Sequence, residues 1–272
     1  MFNNQEYTLT ANKTEKSGSA LLVEFSWKSN STNSDTITFS DVLETGGITP
    51  IPPYLNRKSE ISDKKNYQTI YSKHKGSVAA PTSGLHFTQS VFNSLQNKNI
   101  ETAELTLHIG AGTFRPVTSE KIGGHEMHTE HFFINKQLIK KIIDKYQHII
   151  AVGTTSVRTL ESIYWLGVKM LDQNIIANEI KISQWEIYNL PQNIATKKAL
   201  EVVLNFMIDN NLDILSAATQ IIIVPGYKFK IVNGLITNFH MPKSTLLLLV
   251  SAFVNNNWEK IYNYALKNKF RF

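Results

Sequence analysis

The chain has 272 residues, 42% of them hydrophobic and 18% charged. That composition supports a large buried core and excludes a disordered or fibrous protein. It has no cysteine, which removes disulfide frameworks, thiolate nucleophiles and cysteine-ligated zinc or iron–sulfur centres. The formal net charge is +6, from 28 Lys and Arg against 22 Asp and Glu; this balance suits a polyanionic partner such as RNA, and equally a plain lysine-rich surface. The charge is uneven: residues 1–45 hold three Lys and six Asp or Glu, so 3 − 6 = −3, and the remainder carries +9. Only four of the basic residues are Arg, at 57, 115, 158 and 271. A chain that uses Lys for simple positive charge should keep Arg where the planar five-donor fork is needed. The first ten residues, MFNNQEYTLT, lack the basic start and apolar run of a signal peptide. The apolar stretch 244–254 is too short to span a bilayer. A cytoplasmic location without membrane attachment is expected.

Residues 19–27, SALLVEFSW, and 35–39, DTITF, read as two strands joined by a Ser/Asn-rich hairpin. Ser40 is placed to cap a short stretch that Gly46 and Gly47 end. The ITPIPPYLNR that follows is an extended, proline-stiffened connection. It marks a domain boundary, with 1–45 before it and 46–272 after it. Beyond it, helices are expected at 87–95, 136–146, 155–165, 197–210 and 244–254. Strands are expected at 104–109, 132–134, 148–152, 220–224 and 229–232, with an edge strand at 180–187 and a surface loop at 189–196. This alternation predicts an α/β layered sheet.

Polar motifs sit at the ends of these elements. In AAPTSGLHFT, residues 79–88, small residues let a backbone approach a ligand, with Gly84 central and Thr82, Ser83 and His86 as donors and acceptors. A capped helix start with His86 as a satisfied partner explains the same string. In HIGAGTFRP, residues 108–116, a strand ends in Gly110 and Gly112, so that Thr113 and Arg115 follow at the carboxyl edge that ligands favour. HEMHTEH, residues 125–131, invites a metal reading, but His125 and His128 are three apart, whereas the metalloprotease helix needs four. In an extended segment His128 and Glu130 share one face. There they can hold each other and tune proton affinity, which favours an acid/base role over a metal; an exposed polar turn is the plainer alternative. In VGTTSVRTLES, residues 152–162, a buried strand meets a helix through Gly153, Thr154, Thr155 and Ser156. The unpaired N–H groups of that helix start suit a carboxylate or phosphate. Arg158, one turn in, adds a bidentate grip, unless Glu161 takes it as an i,i+3 partner. TNFHMPKST, residues 237–245, repeats the logic: Asn238 suits a base or amide edge, His240 acid/base work, and Lys243, Ser244 and Thr245 surround a helix start.

Taken in order, APTSGLHFT, HIGAGTFRPV, HEMHTEH, AVGTTSVRTLES, IIIVPGYKF and TNFHMPKSTLLLLVSAF resemble the S-adenosylmethionine:tRNA ribosyltransferase-isomerases of queuosine biosynthesis. PIPPYLNR, NYQTIYSKHKGSVAAPT and YALKNKFRF agree, and the likeness covers nearly everything from about residue 46 onward. The resemblance implies a mixed α/β body with an inserted antiparallel β-barrel, of which 1–45 would be the last strands. It implies transfer of the ribosyl part of S-adenosylmethionine, as donor substrate, to 7-aminomethyl-7-deazaguanine at the wobble position of tRNA. Adenine and methionine leave, epoxyqueuosine forms, no metal takes part, and the enzyme acts as a monomer. The sulfonium acidifies the adjacent 5′ carbon, so a base can start the reaction; His128, His125 and His240 are the candidates, with Glu130 beside the first. The methionine carboxylate would take the helix start at Thr154–Ser156 with Arg158. Thr82, Gly84, His86, Gly112, Thr113, Arg115, Asn238, Lys243, Ser244 and Thr245 would complete the pocket. Family members are longer, with half the barrel and one edge of the body expected before residue 1 and a Ser-Tyr-Gly-Asp segment expected after Phe272. A tRNA-binding relative without turnover and a metal-dependent hydrolase are the rival readings.

Overall fold

The computed structural model describes residues 7–17, 20–29, 38–52, 55–73, 77, 79–110, 121–172 and 180–270. Contacts divide the chain into two units, Met1–Pro50 with Lys58–Glu60, and Ile51–Arg57 with Ile61–Phe272.

In the first unit, β1 (Tyr7–Ser17) and β2 (Ala20–Ser29) form an antiparallel ribbon with an irregularity between Lys13 and Glu15. Helix α1 (Phe39–Gly46) follows, and its Phe39 ring lies 5.2 Å from Phe25 and 5.6 Å from Trp27. Of the strand expected at 35–39, residues 35–37 lie outside the described residues, Thr38 is a helix cap and Phe39 belongs to α1. Thr38 accepts from the Asp41 N–H while the Asp41 carboxylate accepts from the Thr38 N–H. This reciprocal box satisfies two donors at once and starts a helix where β-branched residues suggested a strand. Thr38, not Ser40, is the cap. The partner of β2 is the preceding segment, because the polar-rich 7–17 pairs along its whole length.

The second unit contains a short helix α2 (Asp63–Asn66), a 3₁₀ turn (Thr82–His86) and α3 (Gln89–Asn97). It continues through β3 (Thr106–His108), β4 (Glu130–Asn135), α4 (Lys136–Lys145), β5 (Ile149–Val152) and α5 (Thr154–Asp172). Then come β6 (Lys181–Ile182), α6 (Thr196–Asp209), β7 (Ile214–Thr219), β8 (Val232–Ile236), α7 (Thr245–Phe253) and α8 (Trp258–Lys267). One sheet has the order β3-β4-β7-β6, with β4 antiparallel to β3 and β7, and β6 parallel to β7. A second pairs β5 and β8 in parallel. The unit is thus a mixed α/β structure.

Period-two burial builds β4: Glu130, Phe132 and Ile134 point inward and His131 and Asn135 outward. Asn135 ends the strand by capping α4, its side chain accepting from the Leu138 N–H at 2.8 Å. Leu138, Ile139 and Ile142 then face the core while Lys140, Lys141 and Lys145 face water. Helix α5 is buried almost all round, from Val157 to Val168. It packs on α6 so closely that a Cβ at Gly167 would collide with the Ala199 carbonyl. That approach explains a mid-helix glycine despite its cost of about 1 kcal/mol.

Several expected bounds shift. The strand expected at 220–224 ends instead at Thr219, and the one expected at 229–232 begins only at Val232. The edge strand shortens to Lys181–Ile182 and runs into a 3₁₀ turn, and α5 extends to Asp172. Helix α8 is additional to the expected elements. Among the described residues no helix is long and apolar enough to cross a membrane.

Candidate active site

Strand polarity gathers the motifs. Residue His108 at the end of β3 lies opposite His131, Glu130 at the start of β4 lies opposite Thr219, and Ile182 at the end of β6 lies beside Thr219. The carboxyl ends of β3, β7 and β6 and the start of β4 therefore share one edge. β5 and β8 also end together, with Val152 beside Ile236, and feed Gly153 and Thr237. Helix α5 connects the two edges, because it starts at Thr154 and sends Arg158 to the first sheet.

At that edge the structure brings His128, Glu130 and Arg158 together. His128 Nε2 lies 2.7 Å from Glu130 Oε1, and Arg158 Nη1 lies 3.1 Å from the same oxygen. Arg158 Nε donates to the Ile221 carbonyl at 2.9 Å. Glu130 and Arg158 are 1% and 3% exposed, so the ion pair is shielded from water, while His128 is only partly buried. Burial pushes the Glu130 carboxyl up, but the Arg158 charge and the His128 contact together outweigh it and hold the group below its ordinary range. A charged carboxylate against one ring nitrogen fixes the orientation of the His128 imidazole. Glu130 Oε2, Arg158 Nη2 and Thr159 Oγ1 are buried without protein partners.

The expected alternative pairing of Arg158 with Glu161 is corrected. Glu161 is fully buried and takes other partners. It accepts from Tyr227 Oη at 2.6 Å, from the Lys230 N–H at 2.9 Å, and from the Ile231 and Val232 N–H groups at 3.0 Å each. Trp165 Nε1 in turn donates to Tyr227 Oη at 2.8 Å. Three residues along a helix leave two side chains only about 60° apart, yet here they go to different segments: Arg158 to β4 and the Ile221 carbonyl, Glu161 to the N–H groups that lead into β8.

A second group joins distant segments. Asn238 Nδ2 donates to Thr82 Oγ1 at 3.1 Å, and its Oδ1 lies 3.1 Å from His86 Nε2. The Asn238 amide thus fixes the loop before α7 to the 3₁₀ turn. Gly84 is needed because Tyr71 occupies the space a Cβ would fill. His240 Nε2 lies 2.9 Å from Thr237 Oγ1, and its backbone N–H donates to Tyr262 Oη at 2.7 Å. Ser244 caps α7, accepting from the Leu247 N–H at 3.2 Å, with Thr245 in its first turn and Lys243 exposed at a positive φ of 57°. At the start of α5, Gly153 has φ +92°, Thr154 is buried, Thr155 is partly buried and Ser156 Oγ donates to the Val152 carbonyl. Gly112, Thr113 and Arg115 lie outside the described residues.

The three candidate bases differ. Burial, followed by the like charge of His128, lowers the His125 pKa. Burial alone takes His240 down to about 4, which makes it a weak base at neutral pH. His240 should therefore stay neutral through pH 6. Its lowered folded value means that its stabilising contribution is complete above the unfolded value of 6.5 and is lost as pH falls from there towards 4. That loss should reach at most about 3 kcal/mol, less for the part of the ring that water reaches. Melting curves of wild type and His240→Phe between pH 7.5 and 4.5 check this: the difference between them should change with pH, and parallel curves would refute it.

Sequence reading missed two groups at this edge, Gln184 and Gln220, and the Tyr262 prop under His240. The available signal was an amide side chain just past the end of an apolar strand, the feature that did single out Asn238. Among the described residues no three His, Asp or Glu side chains form a metal-ligand set.

A family model described as queuosine biosynthesis protein matches residues 2–272. The chain belongs to this family. It is 40% identical over 238 residues to the S-adenosylmethionine:tRNA ribosyltransferase-isomerase of Caldanaerobacter subterraneus subsp. tengcongensis, an alignment that takes in 86% of this chain and 57% of that relative. A solved structure, the S-adenosylmethionine tRNA ribosyltransferase of Thermotoga maritima, is similar with 27% identity and a TM-score of 0.43, over 70% of this chain and 48% of that one. The chain thus spans about half the length of these family members.

Proposed function

We propose that this chain forms the catalytic body of a transferase-isomerase that moves the ribosyl part of S-adenosylmethionine onto 7-aminomethyl-7-deazaguanine in tRNA, in the cytoplasm and as a monomer. The observation that carries the reading is a charged, buried Glu130 set behind His128 at a carboxyl sheet edge, in a chain of the queuosine family. His128 removes the proton from the 5′ carbon next to the sulfonium. The ribosyl carbons then pass to the nitrogen of the 7-aminomethyl group, which gives up a proton as the new carbon–nitrogen bond forms, the epoxide forms, and the departing adenine takes up a proton. Methionine leaves with the carbon–sulfur bonding pair and adenine with the glycosidic pair. The N–H groups at Thr154–Ser156 receive the methionine carboxylate. Arg158 acts through Glu130 rather than on the ligand, since its Nε and Nη1 are engaged inside the protein. Thr82, Gly84, His86, Asn238, Lys243, Ser244 and Thr245 complete the ligand contacts, together with the Gly112, Thr113 and Arg115 that the resemblance implies. The basic balance of residues 46–272 favours an anticodon stem-loop. Residues 1–45 belong to an antiparallel barrel: Leu9, Leu21, Leu22 and Phe25 are exposed on a two-strand ribbon, an arrangement marginal on its own.

The test follows free adenine by chromatography. Adenine should appear from S-adenosylmethionine only with tRNA carrying the deazaguanine. Release at the same rate without that tRNA, or none with it, would refute the proposal.

A further inference from the structure

We infer that Gln184 is a positioning residue for His128, clamping the backbone just before it. The inference rests on the reading of His128 as the base. Residues 125–129 carry two of the three candidate bases, yet they belong to neither helix nor strand. A segment without a ladder partner has backbone donors and acceptors to satisfy by other means. Gln184 satisfies two of them. Its Nε2 donates to the His125 carbonyl at 2.7 Å, and its Oε1 accepts from the Met127 N–H at 2.9 Å. Those groups are two residues apart on one side of an extended chain, so a single amide stands where a neighbouring strand would.

The clamp is anchored at both ends. On the sheet side, Gln184 follows β6, and its own carbonyl accepts from the Ile222 N–H at 3.2 Å. Gln220, just past the end of the neighbouring β7, lies 3.5 Å by its Nε2 from the Met127 carbonyl. On the loop side, Met127 is buried, with 3% of the residue exposed. Met127 is therefore held by its N–H, its carbonyl and its burial, and His128 is the next residue. Glu130, the first residue of β4, holds the ring from the other direction. The backbone that delivers the ring is fixed by Gln184, and the ring's orientation by Glu130.

Only an amide of this length fits. A carboxylate keeps the acceptor for Met127 but sets a second acceptor against the His125 carbonyl. Asparagine keeps both functions on a stem one methylene shorter and cannot span both groups.

The test uses Gln184→Glu and Gln184→Asn with three measurements: thermal melting, the His128 ring signals in NMR (assigned from their loss in His128→Gln), and kcat and KM for adenine release. Both variants should melt within a few degrees of wild type and show displaced or broadened His128 signals. Their kcat should fall about tenfold or more with KM for S-adenosylmethionine changed less than about twofold, as for a misplaced catalytic group. Unchanged His128 signals in a folded variant would overturn the inference. So would unfolding of both variants, which would make Gln184 a stability residue alone. If wild type releases no adenine under any condition, the functional reading fails separately, while the NMR arm still decides whether Gln184 places His128.

Discussion

Glu130→Ala is expected to destabilise the protein by about 3–5 kcal/mol, the cost of leaving one member of a buried ion pair alone. Arg158 is 3% exposed, and with the carboxylate gone it keeps the Ile221 carbonyl, a neutral acceptor, against a full charge. The loss is a large share of the 5–15 kcal/mol that holds a typical domain together. The carboxylate's direct attraction is not the main term, because both ions gave up hydration to enter the core. Removing the pair as a whole should therefore cost much less than removing half of it. Glu130→Leu combined with Arg158→Met should recover most of the stability without recovering adenine release, since His128 would still lack its carboxylate. The pH dependence follows from the direction of the shift: Glu130 is held below its ordinary 4.5, so the pair's contribution is complete above that value and is lost as acid protonates the carboxyl in the folded state. Urea titration of the single and double variants provides the check. A loss under about 1 kcal/mol for Glu130→Ala would mean that water reaches Arg158 and that the pair is not shielded.

The second large effect is expected at Glu161. Glu161→Ala removes the acceptor for four donors: Tyr227 Oη and the N–H groups of Lys230, Ile231 and Val232. A buried donor left unmet costs about 1–3 kcal/mol. Water entering the vacated space will meet some of these four, so the net loss should be about 4 kcal/mol or more rather than the full sum. Glu161→Gln separates charge from shape. Its oxygen can still serve two donors, but its NH₂ group faces the other two. It should therefore lose stability as well, though less than alanine. Because Trp165 donates to Tyr227, near-ultraviolet circular dichroism should lose the Trp165 contribution in both variants. An unchanged spectrum together with a loss below about 1 kcal/mol would show that the segment 227–232 is held by other contacts.

The elements legible in the sequence were those whose periodicity met no competitor. Helix α4 came out nearly to the residue because Asn135 caps it and Leu138, Ile139 and Ile142 mark one face. Helices α6 and α7 and strand β5 were similarly clear. Elsewhere a different interaction prevailed. Residues 221–223 are buried isoleucines and look like a strand; the Ile222 N–H still reaches the Gln184 backbone carbonyl, but the Ile221 carbonyl goes to the Arg158 side chain. Strand β8 contains Asn233 and Gly234, poor strand formers, and exists because it pairs with β5.

The scarcity of arginine was informative in a different way. Arg57 makes two 2.7 Å bonds to Asp63, a carboxylate that is 5% exposed. Arg158 serves Glu130 and a carbonyl at once. Both use the fork, as the bias towards lysine suggested. The partners themselves were not legible: nothing local distinguishes Glu130 from Glu161 as the acceptor for Arg158. That choice is made by which segment each side chain meets in the folded chain. The pairing of His128 with Glu130 was legible because two residues in an extended segment need no tertiary information to share a face.

The Glu161 arrangement has a consequence for synthesis. The carboxylate enters the chain 66 to 71 residues before the groups that receive it. A ribosome adds about 5–20 residues per second, so several seconds separate the two. During that interval the Glu161 carboxyl lacks all four of its donors, and burial without them pushes its pKa up and favours the neutral acid. The set of bonds seen in the folded protein can be completed only after α6 and β7 have been made, since Val232 supplies the last of the four donors.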